Sequence, residues 1–223
     1  MSSATTVLSK RPAGMAVRAY VTVSAAVLLA LAVLLLLARV RAGRPQAQVA
    51  EKLARTGAFE RLDFRWPDTA LQSLEAAPWA TESERPATAD LGGGVVLVNL
   101  WATWCKPCRT ELRDLVRVFR EFQSRGVRLV LVSYDDDWDA QKALFDEILG
   151  GPPAGVMLLR DPKGRGDGQA SGGPDTLWGR LGATGIPETF FVNRGRVVGK
   201  AIGDIGWTAT EIRDYLDALV GGG

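Results

Sequence analysis

The sequence predicts an α/β domain with a mixed sheet flanked by helices, preceded by one apolar segment long enough to cross a membrane. Three observations carry this prediction. Apolar runs rich in β-branched residues (95–100, 127–133, 156–159) alternate with stretches of helical periodicity, the pattern of strands joined by helices. A hairpin signal at Asn193-Arg194-Gly195 and one more helix close the chain, which adds antiparallel pairing. Residues 19–38 form a 20-residue stretch without a charge, about 30 Å long as a helix, the thickness of a bilayer core.

Composition narrows the chemistry. With 223 residues, 47% of them hydrophobic and 23% charged, the chain has globular values and room for one self-sufficient core. It contains no histidine and two cysteines, which excludes histidine-based triads, histidine metal sites and a four-ligand zinc site within one chain. Seven basic residues and one acid precede residue 53, whereas the remainder carries 20 basic and 24 acidic residues. The basic character therefore belongs to the N-terminus, and a mildly acidic domain offers no footprint for nucleic acid.

The segment order follows from these patterns. Residues 1–18 are expected to be a cytoplasmic N-terminal segment and 19–38 a retained anchor, because the apolar run exceeds a signal-peptide core and Arg39 and Arg41 follow it directly. Residues 39–58 read as a polar, alanine-rich tether, with a helical continuation as the alternative, and 59–223 as the domain. Basic residues flank the span on both sides: the positive-inside count would put the domain in the cytoplasm, while its chemistry points outside. A first strand is expected from Phe59 to Trp66, then an irregular stretch from Pro67 to Gly94 broken by prolines and glycines. A strand from Val95 to Leu100 leads into a helix from Cys105 to Arg125, with Leu112, Leu115, Val116 and Phe119 at helical spacing. After the strand ending at Ser133, Asp135-Asp136-Asp137 reads as a helix N-terminus rather than a metal site, opening a helix from Trp138 to Leu149. A glycine-rich loop from Lys163 to Thr176 lacks the spacing of a phosphate cradle and is expected to be a surface insertion, followed by a short helix at 177–181. Strands at 189–192 and 196–201 flank the hairpin turn, and a capping box of Thr208 and Glu211 is expected to start the last helix.

The chemistry concentrates in Trp104-Cys105-Lys106-Pro107-Cys108, directly after a buried strand and at the start of a helix. Cysteines three apart share a helix face, close enough to form a disulfide after small backbone adjustments. The helix end offers unpaired N–H groups to the first sulfur, so Cys105 is expected to attack and Cys108, one turn in, to resolve. Half a zinc knuckle would need two more ligands, and a structural disulfide would close a loop too small to stabilise much. Glu111 falls on the face of Cys108, where a carboxyl can serve proton transfer.

The segment VVLVNLWATWCKPCRTEL (95–112), together with Gly185-Ile186-Pro187-Glu188-Thr189-Phe190, resembles the TlpA/ResA/DsbE-like family of membrane-anchored thioredoxins. The resemblance implies a thioredoxin fold over about residues 59–220, catalysis by Cys105, Cys108 and Glu111, and no cofactor. It implies a cis-proline loop at Ile186-Pro187 facing the dithiol and, with Trp104 and Glu188, contributing to substrate binding. Asn99 stands where classical thioredoxins carry a buried acid, and Glu188 matches the Pro-Glu-Thr of the cytochrome-maturation branch. The expected partners are a disulfide-containing client such as an apocytochrome c or a copper-site protein, a transmembrane thiol carrier as electron donor, and the membrane. The expected location is the cytoplasmic membrane, with the domain on its periplasmic or outer side. Glu111 and Glu188 beside the sulfurs would oppose a thiolate and favour a reductant. A Cu(I)-delivery module using the same cysteines is the alternative; a peroxidase would need a Pro-x-x-x-Thr-x-x-Cys segment that the chain lacks.

Overall fold

The computed structural model describes residues 24, 26–35, 46–67, 71, 74–81, 84, 85, 90–161 and 176–222. The chain divides into two compact units, 1–44 and 45–223. In the first, residues 26–35 are helical and Val27, Leu28, Leu29, Leu31, Val33, Leu34 and Leu35 are exposed. No helix among the described residues is long and apolar enough to cross a membrane. The rest of the anchor expected at 19–38 lies outside the described residues, as does nearly all of the glycine-rich loop.

The second unit is a thioredoxin-like α/β fold around a seven-stranded mixed sheet. Its strands are β1 (Phe59–Arg65), β2 (Glu75–Ala76), β3 (Val95–Trp101), β4 (Arg128–Ser133), β5 (Met157–Arg160), β6 (Glu188–Asn193) and β7 (Arg196–Ile202), in the order β1-β7-β6-β3-β4-β5-β2. β3, β4 and β5 are parallel, and the other pairings are antiparallel. The central strand β3 is buried along its whole length, which is why it reads as a continuous apolar run rather than an alternating one. Arg194 and Gly195 both have positive φ, 51° and 74°, the backbone that a tight two-residue hairpin between β6 and β7 needs. On β7, a Cβ at Gly199 would come 2.3 Å from the Phe59 ring, so glycine there lets β1 lie flat against its neighbour.

Two cores sandwich the sheet. One joins Leu97 and Trp101 to α2 (Lys106–Gln123), α3 (Trp138–Leu149) and α5 (Thr210–Gly221); the other joins Val96, Val98 and Leu100 to α4 (Leu177–Leu181). α2 and α3 share a face because each connects neighbouring parallel strands, with the sheet crossed in the same direction. Residues 46–54, within the stretch read as a tether or a helical continuation, form helix α1, which buries Ala50 and Leu53 in the first core. Gln46 Nε2 donates to the Ala218 carbonyl (2.8 Å), and Lys52 pairs with Glu211, which fixes α1 on α5. The irregular stretch contains β2 at the sheet edge and a 3-10 turn, Asp90–Gly92.

The last helix is capped one residue later than expected, with Ala209 rather than Thr208 as N-cap and no side-chain cap bond. A turn closed by Ala209 N–H on the Gly206 carbonyl (2.8 Å) takes up Thr208 and turns Trp207 fully inward. The aspartate triplet does start a helix: Asp137 is the N-cap of α3 and accepts from Ala140 N–H at 3.0 Å.

Candidate active site

Strand β3 ends under the first turn of α2, and that junction places the dithiol. Cys105 is the N-cap of α2, its sulfur accepting from Cys108 N–H at 3.3 Å, with Pro107 in the first turn where its missing N–H costs no helical bond. Cys105 and Cys108 form a disulfide with Cα atoms 5.3 Å apart. Cys105 is 6% exposed and Cys108 1%, so Cys105 is the less deeply buried of the pair; Trp104 beside it is 55% exposed. The Ile186–Pro187 bond is cis, and Cys105 Sγ lies 3.7 Å from the Ile186 carbonyl oxygen. The loop of Ile186 and Pro187 thus faces the dithiol, with Ile186 half-buried and Pro187 buried.

Glu111 lies one turn beyond Cys108, buried between α2 and the sheet. Asn99 Nδ2 donates to its Oε1 (2.9 Å) and to Thr189 Oγ1 (2.9 Å), while Trp207 Nε1 donates to its Oε2 (3.0 Å). Burial pushes its pKa up to about 8, against the lowering effect of the Trp207 and Asn99 hydrogen bonds and with a small further push from Asp204. The carboxyl is therefore mostly protonated at neutral pH and titrates just above it. Asn99, occupying the acid position of classical thioredoxins, orients a carboxyl supplied by the neighbouring helix.

Glu188 is elsewhere. Neighbouring residues on β6 point to opposite faces: Thr189 meets Asn99 beneath α2, and Glu188 enters the other side of the sheet. It is 0% exposed, accepts from Thr184 N–H (3.1 Å) and Thr184 Oγ1 (2.5 Å), and has Lys200 Nζ 3.7 Å away. The Glu188 side chain is fully enclosed on the sheet face opposite Thr189. Glu188, expected to contribute to substrate binding, clasps Thr184, at the start of the loop that carries Ile186 and Pro187.

Two further residues escaped the sequence reading. Asp135, at the end of β4, accepts from Thr103 N–H (3.1 Å), Thr103 Oγ1 (2.6 Å) and Ser133 Oγ (2.6 Å), so it ties down the residue just before Trp104. Its signal was a triplet of acids of which only one is needed to cap a helix. Trp207 left a fainter one, a tryptophan in a polar turn, whose indole N–H must find an acceptor once buried. Among the described residues no cluster of three His, Cys, Asp or Glu could hold a metal ion.

The family model described as AhpC/TSA family matches residues 65–200. The thiol:disulfide interchange protein HelX of Rhodobacter capsulatus is 32% identical over 177 residues, covering 74% of this chain and 86% of that protein. The thiol:disulfide interchange protein DsbE of Haemophilus influenzae is 37% identical over 132 residues (57% and 62%), and the thiol-disulfide oxidoreductase ResA of Bacillus thuringiensis 26% over 139 (62% and 70%). Among solved structures, a putative DsbE from Chlorobium tepidum superposes with a TM-score of 0.50 at 23% identity, over 72% of this chain and 98% of that one.

Proposed function

The chain belongs to the AhpC/TSA family and is a protein thiol-disulfide oxidoreductase of the DsbE/ResA type, and from that premise we propose that it is anchored through residues 19–38 and reduces disulfides of client proteins outside the cytoplasm. The observation that carries this reading is the Cys105–Cys108 pair at the N-terminus of α2, with its outer sulfur against the Ile186 carbonyl.

In the reduced protein the Cys105 thiolate, stabilised by the helix end and the Cys108 N–H, attacks one sulfur of the client disulfide and expels the other as a thiolate. A mixed disulfide joins Cys105 to the client. Cys108 then attacks Cys105 Sγ, the client leaves with its second thiolate, and the protein is left with the Cys105–Cys108 disulfide. Two electrons pass to the client for each cycle. Glu111, when ionised, takes the Cys108 proton as that sulfur attacks; Asn99 and Trp207 hold the carboxyl in one orientation for the transfer. Trp104 and the edge of Ile186 form the surface on which an extended client segment lies. A transmembrane thiol carrier resets the dithiol. The extracytoplasmic side fits because client disulfides persist there, and apocytochrome c or copper-site proteins are the proposed client class.

Trapping in cells tests this reading. Cys108→Ser should accumulate a mixed disulfide at Cys105, in the membrane fraction and with a protein exported from the cytoplasm, while Cys105→Ser should trap nothing. Equal trapping by both variants, or cytoplasmic partners alone, would refute it.

A further inference from the structure

The outer ridge of α2 carries Lys106, Arg109, Arg113, Arg117 and Arg120, all exposed. At 100° per residue these five positions fall within an arc of about 80°, and at 1.5 Å per residue they run about 21 Å along the helix. The ridge begins at the residue after Cys105. The remaining charge of the globular part is of the opposite sign, so this is a local positive stripe on an acidic domain.

Its own partners leave most of that charge in place. Arg109 lies 3.6 Å from Glu147 and Arg117 3.3 Å from Asp114, both exposed pairs of the kind that water screens. Arg113 donates to the Ile148 carbonyl (2.9 Å), which does not neutralise it. Glu121, the next acid along α2, is held by Arg213 at 2.7 Å. Beside the ridge, Val116, Ile148 and Leu149 line a groove between α2 and α3, so the cations stand over an apolar floor.

We propose that this ridge is a docking rail for an acidic segment of the protein partner whose disulfide reaches Cys105. The inference rests on the thiol-disulfide reading above and adds the chemistry of the partner. A protein segment is favoured over a lipid surface because the ridge starts at the dithiol: whatever occupies it is delivered to Cys105. An extended chain of about six residues spans its length, so the matching element is an acidic stretch of that size flanking the target cysteine. Such complementarity acts mainly on the rate of encounter and weakens with salt.

The test uses the reduced full chain in a nonionic detergent with three disulfide-bridged peptides, identical except for six-residue flanks that are acidic, neutral or basic. At low salt the acidic peptide should be reduced about tenfold faster than the neutral one, the basic peptide slower, and the differences should shrink at high salt. Arg113→Glu/Arg117→Glu/Arg120→Glu should abolish or invert the preference while leaving the neutral peptide's rate unchanged; the corresponding glutamine variant should give an intermediate preference and guards against misfolding. Equal rates for the three peptides in the unaltered protein, or equal losses on all three in both variants, would overturn the proposal. So would equal peptide rates combined with ridge-dependent partition onto phosphatidylglycerol rather than phosphatidylcholine vesicles, which would assign the ridge to lipid. The neutral peptide reads the oxidoreductase activity separately: if it is not reduced at all, the functional reading fails rather than the rail.

Discussion

Burial and hydrogen bonding act in opposite directions on Glu111, and burial prevails, leaving a carboxyl that titrates at about 8. The consequence for mechanism is a resolving step that accelerates with pH up to a plateau above about 8, as ionised Glu111 becomes available to take the Cys108 proton. Glu111→Ala should remove that dependence and slow release of the client by roughly a hundredfold at neutral pH; stopped-flow release from a preformed mixed disulfide measures it. There is also a stability consequence, with its sign set by the raised pKa. Between about pH 4.5 and 8 the folded protein holds a proton that the unfolded chain has released, so stability falls as pH rises, by up to about 1.4 kcal/mol per pH unit. Denaturation midpoints that stay flat through this window, and a resolving rate indifferent to pH, would remove Glu111 from the mechanism. At this scale the dithiol was legible because two cysteines three apart at a strand-to-helix junction are a local pattern. Asn99 and Trp207, which set the environment of Glu111, lie 12 and 96 residues away from it in the chain, and such distant pairing leaves little local trace.

Among the elements, the loops on either side of the dithiol are braced from both faces of the sheet. Asp135 holds Thr103 from the end of β4, and Glu188 holds Thr184 from the start of β6. Removing the Asp135 carboxylate leaves Thr103 N–H, Thr103 Oγ1 and Ser133 Oγ without that acceptor. Asp135→Ala should therefore cost about 2 kcal/mol of stability and slow the first attack on a client, whereas Asp135→Asn, which keeps one carbonyl oxygen, should restore much of both. Urea denaturation and second-order rates report the two effects; an alanine variant unchanged in both would show that Thr103 needs no brace. Long periodic elements were legible, α3 over its full extent, because its N-cap aspartate and the glycine after Leu149 mark both ends in sequence. The start of α5 was not, since the turn that buries Trp207 takes precedence over the local capping pattern. Two-residue β2 carries no periodicity, and the docking of α1 left no local trace because its burying partner, α5, is far along the chain.

At the scale of the whole molecule the balance of charge around the dithiol sets direction: whether electrons leave this protein for its client. Cys105 Sγ receives one N–H at the helix end, and Lys106 adds an exposed ammonium, both favouring the thiolate. Against them stands the near-complete burial of Cys105, which opposes charge on its sulfur; Glu111, mostly protonated at pH 7, adds its negative charge only as pH rises past about 8. A thiolate only modestly stabilised gives up electrons readily, so the protein should behave as a reductant. The measurement that tests this most directly is the redox potential of the Cys105–Cys108 pair, obtained by equilibrating the full chain with dithiothreitol buffers at pH 7. A value toward the thioredoxin end, about −270 mV, is predicted; a value near −120 mV, where strong oxidants lie, would make the protein a disulfide donor and contradict the direction assigned to it.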